Sequence, residues 1–157
     1  RYMEMNISLK KASVSDCEVL YELQIKSFKD LLEKYQDYDT NPGAEKLERT
    51  KTRLNEENSD YYFIQLNNEN IGAIRIIKIN DLCKLKQIYI LPKYQGNGYA
   101  QQTIAIIELL YPEAQHWELD TIKQEAKLCY LYEKMGYKQT GKELSIKDDI
   151  TLVFYRK

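Results

Sequence analysis

Apolar positions change period several times along the chain, and each change marks an element. Ile7 and Leu9 alternate with polar neighbours, as a short strand requires. Ser15-Asp16-Cys17-Glu18 then offers a capping box for a helix starting near residue 15. Cys17, Leu20, Tyr21, Ile25, Phe28, Leu31, Leu32 and Tyr35 recur at helical spacing and predict one amphipathic face. Residues 36–43, rich in Asp and Asn and holding Pro42, break that helix. A second, charged helix over about 44–58 shows few apolar residues beyond Leu47 and Leu54 and is expected on the surface.

From Tyr61 the period falls to two. Residues 61–66 and 71–77 read as a hairpin turning at Asn67-Asn68-Glu69-Asn70. A third strand, about 84–91, stops at Pro92. A loop bearing Gly96 and Gly98 then opens a helix with Ala100, Thr103, Ile104, Ile107 and Leu110 on one face. Residues 116–122 read as a strand, 125–135 as a helix stopped by Gly136, and 137–142 and 150–156 as closing strands. The order is β-α-α-β-β-β-α-β-α-β-β, which predicts an α/β protein with a mixed sheet and a right-handed parallel crossover at its centre.

Composition narrows the chemistry. The chain has 157 residues, enough for one core, and residues 6–157 are expected to form a single domain. Arg1-Tyr2-Met3-Glu4-Met5 lacks an apolar run like that of a signal peptide and is read as a tag remnant. No apolar run approaches the roughly 18 residues of a membrane span. A net charge of −1 supplies no field for nucleic acid. Cys17, Cys83 and Cys129, an odd set without a C-x-x-C pair, suggest reduced thiols and a cytoplasmic location. His116 is the only histidine, which rules out a multi-histidine zinc site and leaves a Ser-His-Asp triad one candidate; no metal is expected.

The glycine loop carries the functional signal. A helix N-terminus presents free N–H groups and a partial positive charge, and glycines let a phosphate approach the backbone. A structural loop needing positive φ explains two glycines as well. Among phosphate loops, the P-loop fails because no Gly-Lys-[Ser/Thr] follows. A dinucleotide fold has Gly96-x-Gly98 before a helix and Asp120 about 20 residues on. Gln101 stands at its third-glycine place, however, and too little chain follows for a doubly wound sheet.

The segment Ile90-Leu91-Pro92-Lys93-Tyr94-Gln95-Gly96-Asn97-Gly98-Tyr99-Ala100 resembles the acetyl-CoA motif of the GNAT acetyltransferase superfamily, with Gln95, Gly98 and Ala100 filling [Gln/Arg]-x-x-Gly-x-[Gly/Ala]. Leu131-Tyr132-Glu133-Lys134-Met135-Gly136-Tyr137 is similar to the family's second motif, at the expected distance. The resemblance implies a GNAT-like acyl-CoA N-acyltransferase fold. Acetyl-CoA would be the co-substrate, its pyrophosphate held by the amides of Gln95, Gly96, Asn97, Gly98, Tyr99 and Ala100. Its pantetheine arm would lie along Ile88, Tyr89 and Ile90 like an added strand, in a splay between strands 84–90 and 116–122.

In such a transfer a neutral amine attacks the thioester, a backbone N–H steadies the oxyanion, and the departing thiolate needs a proton. The resemblance makes Tyr132 the general acid, although Leu128, Leu131, Tyr132 and Met135 also form an ordinary core face. Many relatives carry Asn seven residues before this tyrosine. Here the position is Glu125, and a carboxylate beside a pyrophosphate is repulsive, so Glu125 stays outside the binding set. Glu118 and Asp120, on one face of their strand, are candidate bases or solvated carboxylates. Tyr35, Asp37 and Tyr38 would form an acidic, aromatic acceptor wall suited to a polyamine-like amine. The alternatives are a peptide N-acetyltransferase and a non-catalytic acyl-CoA-binding module. A homodimer is compatible with either, and no nucleic-acid or membrane partner is expected.

Overall fold

The computed structural model describes residues 7–157; the reading of residues 1–5 lies outside them. Seven strands form one sheet in the order β1-β2-β3-β4-β5-β7-β6. They are β1 (Ile7–Lys11), β2 (Ser59–Leu66), β3 (Glu69–Ile79), β4 (Leu82–Ile90), β5 (His116–Ile122), β6 (Lys138–Lys147) and β7 (Ile150–Arg156). Every neighbouring pair is antiparallel except β4 and β5, joined through the helical crossover the sequence predicts. The helices are α1 (Cys17–Tyr35), α2 (Leu47–Asn55), α3 (Tyr99–Leu110) and α4 (Ala126–Lys134).

Alternation along the strands sorts the core into two layers. Phe63 and Ala73 face α1, packing with Leu20, Leu23, Tyr61 and Tyr89. Their neighbours Ile64 and Ile74 face the other way and join Ile104 and Ile107 of α3 and Tyr132 of α4. No helix among the described residues is long and apolar enough to cross a membrane.

Several boundaries differ from the sequence reading. The capping box forms two residues earlier than expected, with the Asp16 carboxylate accepting from the Ser13 amide at 2.9 Å, and a short 3-10 turn precedes α1. The second helix is shorter because Asn41-Pro42-Gly43-Ala44 closes its own turn, the Asn41 side chain accepting from Gly43 at 2.7 Å. Its inner face is polar: Arg53 makes a two-pronged bond to Glu45 at 2.6 and 2.9 Å. The β2–β3 turn needs only Asn67 and Asn68, both at positive φ, which matches the strand twist. β6 runs five residues further than expected, to Lys147, because β7 pairs with it along that length.

Candidate active site

The glycine loop is shaped by its own backbone. Pro92–Tyr94 make a 3-10 turn, Gly96 and Gly98 adopt φ of 80° and 79°, and Gly98 caps α3. The Gln95 amide is engaged by the Pro92 carbonyl at 3.2 Å and that of Gln102 by the Gly98 carbonyl at 3.1 Å. Between them, the amides of residues 96–101 donate to no acceptor among the described residues. A Cβ at Gly96 or Gly98 would meet nothing within 4 Å, so the space in front of these amides is open. The side chains brace the loop from behind, Gln95 Nε2 donating to the Ile90 carbonyl at 2.8 Å and Asn97 Nδ2 to the Tyr94 carbonyl at 3.1 Å.

The loop stands at the end of a split in the sheet. β4 and β5 pair only at Leu82, Cys83 and Lys84 with His116, Trp117 and Glu118; beyond that they separate. The cause is visible on the other edge of β4, where Arg75 faces Gln87 but Ile76 faces Leu85, leaving Lys86 as a bulge. The bulge resets the alternation: Cys83 and Leu85 point to the α3–α4 layer before it, Ile90 after it. Since the Leu91 amide donates to Ile71 of β3, the polar backbone groups of Ile88 and Ile90 face the split. Tyr89 does not join them. Its backbone is turned to β3, and its hydroxyl lies 3.0 Å from that of Tyr61 beneath α1. On β5, Trp117 and Lys123 bond to the β7 side, which turns the backbones of Asp120 and Ile122 toward the split. Unpaired strand edges leading to free amides fit an extended chain ending in a pyrophosphate, which is the shape of acetyl-CoA.

Tyr132 packs edge-on against Tyr137, with ring centroids 6.2 Å apart, and is 5% exposed. Burial first, and then the charges of Asp120 and Cys129, push its phenol well above its ordinary range, with no hydrogen bond contributing. The phenol therefore keeps its proton at neutral pH. Glu118 and Asp120 point away from this layer, as the alternation predicts, while Trp117 and Leu119 are buried. Glu118 lies 3.7 Å from Arg156. Both carboxylates line a cavity of about 330 Å³, with Lys84 and Lys86 of β4, Thr140 and Lys142 of β6, and Phe154 of β7. The alternating lysines of Lys84-Leu85-Lys86 were a signal for this face that the sequence reading left unused.

The proposed acceptor wall is more engaged than its sequence suggests. The Tyr35 hydroxyl donates to Glu125, and Lys147 donates to the Tyr35 carbonyl at 2.8 Å. The Asp37 carboxylate accepts from the Thr40 hydroxyl, the Thr40 amide at 3.1 Å and the Asp39 amide at 3.3 Å. Burial would raise its pKa, but these bonds outweigh that and lower it. Tyr38 is exposed, its hydroxyl donating to Gln36 at 2.9 Å. The structure thus brings Tyr35 to the mouth of α4 and keeps Asp37 within its own turn.

A family model described as an acetyltransferase (GNAT) domain matches residues 29–157. Among solved structures, the ribosomal L7/L12 α-N-protein acetyltransferase RimL, in complex with coenzyme A, is 15% identical over 99% of this chain and 96% of that one, with a TM-score of 0.75. The PaiA N-acetyltransferase of Thermoplasma acidophilum, in complex with coenzyme A, is 17% identical over 99% and 100% of the two chains, with a TM-score of 0.70. The spermidine/spermine N-acetyltransferase SpeG of Vibrio cholerae is 18% identical over 98% and 94%, with a TM-score of 0.68. At these identities the solved structures establish the fold.

Proposed function

The chain belongs to the GNAT acetyltransferase family of acyl-CoA-dependent N-acetyltransferases, and from that premise we propose that it moves an acetyl group from acetyl-CoA to the primary amine of a small molecule. The observation that carries the reading is the split between β4 and β5 leading to the free amides of the glycine loop.

Acetyl-CoA supplies a thioester carbonyl for the amine to attack. The chain supplies the rest. The amides of Gly96, Asn97, Gly98, Tyr99 and Ala100 hold the pyrophosphate, and Gln95 sets the loop through its bond to Ile90. The outward backbone groups of Ile88 and the Ile90 amide fix the pantetheine arm as a strand would, the Ile90 carbonyl being held by Gln95. Asp120 or Glu118, directly or through water, takes the proton that the attacking amine releases, and the Tyr132 hydroxyl gives one to the departing sulfur. One proton leaves the amine and one arrives on the thiol. Burial raises the phenol, and it raises a thiolate released beside it in the same direction, so donor and acceptor shift together.

The acceptor is argued from the cavity. SpeG acts on polyamines and RimL on a protein N-terminus. An amine acceptor draws support from Glu118 and Asp120 lining the cavity rather than from Asp37, whose carboxylate is spent on its turn. A volume of about 330 Å³ suits a small amine better than a folded chain end. Free-thiol release from acetyl-CoA across polyamines, amino acids and short peptides tests the proposal. Coenzyme binding without thiol release for any amine would sink it.

A further inference from the structure

The cavity beside the split has a charge pattern that a plain polyamine does not match. Three lysines, Lys84, Lys86 and Lys142, line it with only two carboxylates, Glu118 and Asp120. Glu118 already faces Arg156 at 3.7 Å, while no ion pair among the described residues involves Asp120 or any of the three lysines. Lys142 instead lies over the ring of Phe154, its Nζ 4.4 Å from the centroid. Lys86 and Asp120 each lie two residues beyond the last paired positions, Lys84 and Glu118. They would be cross-strand partners if the strands stayed together. The bulge at Lys86 parts them, leaving an ammonium on one lip of the split and a carboxylate on the other.

We propose that the acceptor is a small molecule bearing both an amine and a carboxylate, such as an amino acid. Its amine sits at Asp120 and its carboxylate among Lys86, Lys142 and Lys84. The orientation follows from the split: Asp120 stands two residues beyond the last paired position of β5 with its backbone turned to the opening, so an amine held there lies at the split. A dication would place its second charge among three ammonium groups, whereas an acid there turns repulsion into attraction. Lysine suits this task because its compact charge on a flexible stem accepts an anion in several poses. Part of this inference rests on the acetyl-transfer reading, so its test carries a readout independent of turnover.

The test compares matched pairs that differ by one carboxylate: lysine with cadaverine, and ornithine with putrescine. The expected kcat/KM favours the amino acids by about tenfold, the scale of two modest ion pairs. In Lys86→Gln/Lys142→Gln that preference falls to about unity, through the amino acids alone. A diamine preferred by the wild type, or a preference that survives in the double variant, overturns the proposal. In parallel, calorimetry with coenzyme A present measures binding of N-acetyl-lysine and of N-acetylcadaverine. Tighter binding of the acid with no turnover in any arm keeps the amine-and-acid site while removing the transfer reading. Equal binding overturns the site.

Discussion

The Tyr35 hydroxyl donates to Oε2 of Glu125, tying the last turn of α1 to the residue that caps α4. Lys34 donates to the same oxygen at 2.7 Å. Burial alone would raise the Glu125 pKa; the two hydrogen bonds and the Lys34 charge outweigh it and lower the value. The repulsion expected of a carboxylate in place of the family's Asn is therefore met within the protein, by a neighbouring ammonium.

Removing that carboxylate strands a phenol in a buried place. Glu125→Ala is expected to destabilise the fold by about 1–3 kcal/mol, the cost of an unsatisfied buried donor. Urea unfolding measures it, and Tyr35→Phe supplies the control. With the hydroxyl already gone, the second loss should shrink by more than half; strict additivity of the two would mean that the bond contributes nothing.

Tyr132→Phe removes one oxygen that has no hydrogen-bonding partner among the described residues. Its stability should stay within about 1 kcal/mol of wild type, while kcat falls on the order of 10²-fold, the low end for a lost proton donor. Coenzyme affinity should be unchanged. An unaltered kcat would return Tyr132 to a packing role.

Two glycines separate function from folding. A Cβ at Gly98 meets open space but sits at φ 79°, so Gly98→Ala costs about 1–2 kcal/mol of strain and turns the loop amides away from the phosphate. Coenzyme affinity should drop with the fold retained. A Cβ at Gly72 would collide with the Tyr89 carbonyl oxygen, because β3 and β4 approach too closely there for any side chain. Gly72→Ala should therefore lower the melting temperature with no specific effect on affinity for coenzyme in the fraction that remains folded.

Buried phenols set the alkaline limit. Burial, chiefly, raises Tyr89, Tyr111, Tyr132, Tyr137 and Tyr155 above their ordinary range. A raised folded pKa favours the native state fully below the unfolded value near 10, and that advantage is lost as pH climbs from there. Stability should be flat across neutral pH and fall steeply above about pH 10, with a step in tyrosinate absorbance at 295 nm from these buried phenols coinciding with unfolding. Ionisation of all the tyrosines while the protein stays folded would contradict this.

How much of this was legible beforehand depended on distance along the chain. The strand, glycine loop and helix from Leu82 to Leu110 are contiguous, so their order was legible from spacing, and the resemblance of the loop then suggested a phosphate site. The bulge at Lys86 was harder, because Leu82 to Ile90 is apolar enough to pass for one regular strand; only the shift from Cys83 and Leu85 to Ile88 and Ile90 betrays it. The occupants of Glu125 were out of reach, since Lys34 and Tyr35 lie 91 and 90 residues away. Asp37 misled for a related reason. A carboxylate three residues before a threonine can serve a ligand or close a turn, and sequence alone does not choose.

The Lys147 bond to the Tyr35 carbonyl spans 112 residues. The cavity likewise draws on β4, β5, β6 and β7, so the proposed acceptor side is assembled from distant parts of the chain, whereas the glycine loop is closed by bonds between near neighbours. Loop closure makes distant contacts late and local ones early. During refolding the protein should regain its grip on coenzyme in one phase and its ability to place an amine in a slower one, passing through a state that holds the donor before it can choose an acceptor.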